Sequence, residues 1–291
     1  MSDHLVRWLF HSTAMVPDYD AACDSLARLA GLRVMEYSES AIPEVGRRGG
    51  MTWVGDNSIE VGQPIVEGGG ADRFVRRTGG GVHSVAVQVA DVEATIEHLT
   101  SAGVAVAARP DPDFCFSDPR QTGGVFFEWF SGAVPQDPRY GGTLPPYTCE
   151  PMLDVTHHAF VGALVDDPAY WAARFAELLG TGVTFEDPSA GPGEPVAGVS
   201  LGDNTLALYR LPPSGDRSTA AWGRPYERAR THVVGLAVPD LAQAVESVQS
   251  SGLAVVSRSD RACVLDPAAA GGIGVVLVGE LLPGDPRTVR P

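Results

Sequence analysis

Four stretches of the chain share one pattern of apolar and polar positions. They are FHSTAMVPDYDAACDSLARLAG, VHSVAVQVADVEATIEHLTSAG, HHAFVGALVDDPAYWAARFAELLG and HVVGLAVPDLAQAVESVQSSG. Each opens with an apolar run of strand length, passes an aspartate, continues with apolar residues every three or four positions, and closes on a glycine. The helical stripes are Ala22, Leu26 and Leu29; Val92, Ile96 and Leu99; Trp171, Phe175 and Leu178; and Leu241, Val245 and Val248. Spacing i, i+4, i+7 predicts four amphipathic helices, each with one face for a core. Asp18, Asp91, Asp167 and Asp240 stand where N-caps are needed, and Gly31, Gly103, Gly180 and Gly252 where a left-handed residue ends a helix.

A histidine opens each strand: His11, His83, His158 and His232. Their spacing of roughly 75 residues is that of tandem supersecondary units. Glycine-punctuated stretches of strand character follow the helices, GMTWVGDNSIEVGQ and TGGVFFEWFSG among them. The chain therefore reads as an α+β protein of four βαβββ modules. The segment SGAVPQDPRYGGTLPPYTCEP follows neither period and is rich in Gly and Pro. It predicts a linker over 136–152, between a domain over 1–135 and a second over 153–291.

Within the repeat, WVGDNSIEVGQ and SLGDNTLALYR keep the Gly-Asp-Asn frame. The offset that sets Glu60 on Ala207 also sets His11 on His158. His232 then answers to His83, and Glu128 falls near Val276. On this alignment the second half keeps two histidines and loses both carboxylates. Two imidazoles alone are a poor site for a hard dication, so modules three and four read as a metal-free copy. In the first half, strand alternation sets Glu60 opposite Ile59 and Val61, and puts Glu128 on one face with Phe126 and Phe130. It also puts His11 with Thr13 and Met15, and His83 with Val85 and Val87. A carboxylate among rings needs a partner, a proton or a cation.

Composition narrows the function classes. The 291 residues are 44% hydrophobic and 20% charged, with a formal net charge of −15. That charge disfavours nucleic acid and anionic membranes as partners. Every basic residue is arginine, which excludes lysine Schiff-base chemistry and a Walker phosphate loop. Cys23, Cys115, Cys149 and Cys263 form no CxxC, so reduced thiols and a cytoplasmic location are expected. The N-terminus is too polar for a signal h-region, and no apolar run approaches the roughly 18 residues of a membrane span.

Paired βαβββ modules that open with histidine resemble the vicinal oxygen chelate superfamily, which includes glyoxalase I, methylmalonyl-CoA epimerase, extradiol dioxygenases and bleomycin-resistance proteins. The resemblance implies two domains of curved mixed sheet with outer helices. It also implies a metal site in the first half, because the family takes ligands from the first and last strands of two modules. His11, Glu60, His83 and Glu128 match those places. Such a set suits an octahedral divalent ion, with Mg, Mn, Fe, Co, Ni and Zn not distinguished.

Proton removal beside a metal-chelated carbonyl is the implied chemistry, as an isomerase, epimerase or lyase. Glu128 is the expected proton carrier, with Glu44 as its partner. The pairs Arg47 with Arg48, and Arg76 with Arg77, are candidates for a substrate carboxylate or phosphate. RRTGGGVH stands where a glyoxalase would carry YxLGTGYGH, which argues against glutathione substrates. Two alternatives are an Fe(II) extradiol-type dioxygenase using His11, His83 and Glu128, and a non-catalytic binder of an antibiotic or toxin. The expected partner is a small molecule, and the expected assembly a monomer or homodimer.

Overall fold

All four predicted helices form, and each is capped by the aspartate expected. The computed structural model describes residues 5–37, 46–134, 136–143, 150–191, 193–212, 222 and 228–289. Strand β1 (Val6–Met15) leads through Asp18 into α1 (Tyr19–Ala30), followed by β2 (Met35–Tyr37), β3 (Arg47–Val54) and β4 (Asn57–Pro64). The second module is β5 (Gly81–Val89), α3 (Val92–Ser101), β6 (Val106–Asp111), β7 (Phe114–Ser117) and β8 (Phe127–Phe130). Between them lies α2 (Gly70–Thr78), a helix that the repeat pattern did not announce. Its single buried residue, Phe74, leaves almost no apolar stripe to read.

The second half repeats this order as β9 (His157–Val165), α4 (Pro168–Leu179), β10 (Val183–Glu186), β11 (Ala197–Ser200) and β12 (Thr205–Arg210). It continues with β13 (Arg230–Ala237), α5 (Leu241–Ser250), β14 (Val255–Arg258), β15 (Ala262–Leu265), β16 (Val275–Val278) and α6 (Pro286–Val289). Side chains of Asp18, Asp91, Asp167 and Asp240 accept from the backbone N–H of Ala21, Ala94, Tyr170 and Gln243. Each half forms one eight-stranded mixed sheet. The orders are β2-β3-β4-β1-β5-β8-β7-β6 and β10-β11-β12-β9-β13-β16-β15-β14. The antiparallel pairs β1–β5 and β9–β13 join two modules edge to edge.

The halves meet through a buried polar seam. Asn57 donates to the carbonyl of Leu9 at 3.1 Å, Asn204 donates to that of His158 at 2.8 Å, and Asn204 also donates to Asn57 at 3.0 Å. Asp203 accepts from Leu9 N at 2.9 Å and from Arg139 at 2.6 Å. The shared Gly-Asp-Asn frame is thus a joint: each asparagine pins its hairpin to the strand beside it and then meets the other.

The strand registers correct the alignment of the halves. His11 pairs with Ser58 across the β1–β4 ladder, whereas Thr205, the counterpart of Ser58, pairs with Phe160. Phe160 therefore takes the place of His11, and His158 takes that of Leu9. One constant offset fails because β9 enters its ladder two residues later than the hairpin frame implies. Glu60 still matches Ala207: Glu60 pairs with Thr13, and Ala207 with Gly162. The register also sets Glu128, beside Ala86, against Val276, beside Gly235.

Candidate active site

Strand alternation sends Ile59 and Val61 into the core and Glu60 to the opposite face, where it is buried. Three side chains serve its carboxylate. Thr13, its ladder partner on β1, donates to Oε2 at 2.9 Å. Tyr37 of β2 donates to Oε1, as do Arg47 Nε at 3.1 Å and Arg47 Nη2. Burial is the largest influence and would raise the Glu60 pKa, but the Arg47 guanidinium, His11 and the Tyr37 hydroxyl together outweigh it and hold the group at about 2.

Backbone geometry makes room for this cluster. Gly49 of β3 and Gly62 of β4 face each other in the ladder. A Cβ on Gly62 would lie 2.9 Å from Arg47 Cδ, and one on Gly49 would lie 2.9 Å from the Tyr37 hydroxyl. The two glycines form a depression across which Arg47 and Tyr37 run to Glu60. Pairing two glycines removes the side chains that would otherwise stand there.

His11 lies between the two carboxylates. Its Nδ1 is 3.9 Å from Glu60 Oε2, and its Nε2 is 3.8 Å from Glu128 Oε1. Because the Thr13 hydroxyl donates to Glu60, it accepts from Nδ1 at 3.1 Å, which leaves Nε2 as the acceptor edge. Burial lowers the His11 pKa to about 4, against the raising pull of Glu60, so the ring is neutral at pH 7. Glu128 sits beside Ala86 on β5 and is also buried. Among the described residues no side chain donates a hydrogen bond to it. Burial first, and the charge of Glu60 second, push its pKa up to about 8.

His83 does not join this group. The ladder pairs Thr13 with Ser84 and Ala14 with Val82, which makes His83 the extra residue of a β-bulge. The bulge turns it away from Val85 and Val87, which are core residues, and onto the cavity wall. There its ring meets the edges of Phe74 at 4.8 Å and Phe126 at 5.2 Å. Ser84, not His83, lies opposite Thr13 on the face shared by the carboxylates.

Thr13, Glu60, His83, Ser84 and Glu128 line a cavity of about 940 Å³, which residues from the second half help to close. Of the four arginines singled out from sequence, Arg47 and Arg77 line it. Arg48 is held outside by Glu36 at 2.7 Å and Asp20 at 3.0 Å, and Arg76 by Glu67 and Asp72 at 3.0 Å each. Arg120, Arg228, Arg230 and Trp171 also line the cavity and were not foreseen, since no local motif marks them. Arg230 lies over the Phe74 ring at 4.7 Å. Glu44 lies outside the described residues.

Enzymes of the vicinal oxygen chelate superfamily typically use divalent metals. The present arrangement does not fit one. Among the described residues no three His, Cys, Asp or Glu side chains converge on a common point. Glu60 and Glu128 approach opposite nitrogens of one imidazole, whose lone-pair directions diverge. The Glu60 oxygens are already occupied by Arg47, Tyr37 and Thr13, and His83 stands apart.

The second half lacks even this. Phe160, Ala207, Val233 and Val276, at the places of His11, Glu60, Ser84 and Glu128, are buried in a small core with Tyr209 and Trp222. His232 packs against Trp222 at 4.4 Å and Tyr209 at 5.0 Å. His158 is 3.1 Å from the Ser12 hydroxyl across the seam.

Residues 10–116 match the model of the Glyoxalase/Bleomycin resistance protein/Dioxygenase superfamily. No curated protein matches the sequence. A triple mutant of 4-hydroxymandelate synthase from Streptomyces coelicolor shares the fold, with a TM-score of 0.66 and 14% identity over 96% of this chain and 95% of that one. Methylmalonyl-CoA epimerase from Mycobacterium tuberculosis aligns over 46% of this chain and 93% of its own, with a TM-score of 0.42 and 24% identity. The family model thus covers residues 10–116 of the first half, and the fold of the two halves together is the one seen in 4-hydroxymandelate synthase.

Proposed function

We propose that the chain is an enzyme that moves a proton at a carbon next to a carbonyl of an anionic small molecule, as an isomerase, epimerase or lyase. One observation carries this reading: Glu128, a buried carboxyl with no hydrogen-bond donor among the described residues, faces a cavity beside the acceptor edge of His11. A group so placed is free to take and return a proton, whereas Glu60 is tied down. Arg47, Arg77, Arg228 and Arg230 bring positive charge to the wall of a protein whose net charge is −15. That contrast favours an anionic substrate. Phe74, Phe116, Phe126 and Trp171 supply apolar surface for its remainder.

In this scheme Glu128 takes the proton in its ionised form, which a pKa of about 8 makes the minor one at pH 7, His11 fixes the side from which it does so, and Arg47 faces the negative charge that develops on the carbonyl oxygen. The dioxygenase alternative needs His83 in one triad with His11 and Glu128, and the bulge holds that ring against Phe74 and Phe126 instead. Incubating 2-oxo acids, 2-hydroxy ketones and acyl thioesters in D₂O tests the proposal. NMR should show deuterium at the α-carbon with wild type, and a rate lower by roughly 10²–10⁴ with Glu128→Gln. Oxygen consumption with a catechol and no α-carbon exchange would reverse the assignment.

A further inference from the structure

We infer that Arg47 is the resident cation of this site, standing in for the divalent metal around which the fold is usually organised. The inference concerns the positive charge and not the proton transfer, so the two readings fail separately.

Three observations carry it. The first is the donor set. The carboxylate best placed to ligate an ion, Glu60, is saturated by two arginine N–H groups, a phenol and a threonine hydroxyl. A dication would have to displace the guanidinium and then endure its charge nearby. Like charges held close together in a partly buried site repel strongly, and a dication doubles the repulsion that a single charge would meet. Second, the cradle is built into the backbone. Gly49 and Gly62 are ladder partners, and a Cβ on either would strike the side chain lying over it. The strands are thus shaped for Arg47 and Tyr37. Third, the fourth ligand place is vacated. Ser84 holds the sheet position opposite Thr13, and the bulged His83 points to the ring-lined wall.

The consequence is chemical. Arg47 is 13% exposed at its side chain and lines the cavity, so it can meet a substrate oxygen while it is anchored to Glu60. A guanidinium binds a carboxylate or an enolate through directional N–H donors and stays charged at any working pH. It cannot supply open coordination positions or redox chemistry. The substrate oxygen it suits is therefore anionic, or becomes so during the reaction.

Metal binding to the full chain tests this without any assay of turnover. Protein purified without chelator is analysed for metals and then titrated with Co²⁺ and Zn²⁺, followed by visible absorption and by the unfolding midpoint. Wild type should hold no stoichiometric metal, develop no Co²⁺ bands and show no midpoint shift. Arg47→Met keeps the stem and removes the charge, and it should bind Co²⁺ at least roughly tenfold more tightly. Arg47→Lys keeps the charge and should stay metal-free. One tightly held ion per wild-type chain, lost on Glu60→Gln, would overturn the inference. So would an Arg47→Met protein that folds and binds Co²⁺ no better than wild type. The wild-type titration decides even where a variant does not fold.

Discussion

At the scale of single residues, the cost of burying Glu60 organises the site. A carboxylate that is almost wholly out of water is tolerated because Arg47, Tyr37 and Thr13 all donate to it. Removing one partner of a buried pair leaves an uncompensated charge, so Arg47→Met should lower stability by about 3–5 kcal/mol. Glu60→Gln on the Arg47→Met background removes that charge and leaves an amide for Tyr37 and Thr13. Urea unfolding of the two proteins should show the double variant regaining most of the loss; no recovery would mean that Arg47 contributes by packing alone. His11, Glu60 and Glu128 were legible in the sequence because alternation puts polar residues on a face that otherwise reads as core. The saturation of Glu60 was not, since Tyr37 and Arg47 reach it from other strands and nothing in WVGDNSIEVGQ records that.

At the scale of elements, the helices follow local rules and the strands do not. Ala22, Leu26 and Leu29 bury as their spacing requires, their equivalents do so except that Ile96, Trp171 and Leu241 stay half-buried against the core, and the aspartate caps bond as expected. A helix is closed by neighbours in sequence, so its signals are local. A strand depends on its partner, and one inserted residue shifts every side chain after it. The bulge at His83 is such a case: it arises between Val82 and Ser84 in the pairing with β1, and a sequence read strand by strand keeps perfect alternation. The Gly49–Gly62 pair is likewise a property of β3 against β4. Gly62→Ala sets a methyl 2.9 Å from Arg47 Cδ and 3.1 Å from the tip of Met15. Overpacking of this kind should cost about 1–3 kcal/mol. Gly182→Ala meets nothing within 4 Å and should stay within about 0.5 kcal/mol of wild type. Paired thermal melts check the contrast, and equal losses would mean that the depression has slack.

At the scale of the whole molecule, the halves are fastened by buried polar groups that acid can reach. His158 sits at the seam, 3.1 Å from Ser12, and burial, with Arg287 nearby, lowers its pKa from 6.5 to about 3. The unfolded chain therefore takes up the proton first as pH falls. The stability this histidine contributes is intact above pH 6.5 and drains away between 6.5 and about 3, at up to about 1.4 kcal/mol per pH unit. His11, lowered to about 4, and His83, lowered to about 3, add losses of the same sign. His158→Leu installs the residue type found at the matching position, Leu9. Its urea midpoint should fall less than that of wild type between pH 6.5 and 4, although it starts lower at pH 7 for want of the Ser12 contact. Identical pH slopes would show that His158 is not a seat of acid sensitivity. The sequence by itself determined the four modules, their caps, the loss of carboxylates from the second half and three of the residues that meet in the first, because periodicity and composition are written locally. Only the tertiary structure decided that Phe160 and not His158 stands in the place of His11, that His83 is bulged aside, and that Arg47 occupies Glu60. Each of those depends on the register of one strand against another, and the free energy of register is set by pairs of residues far apart in the chain.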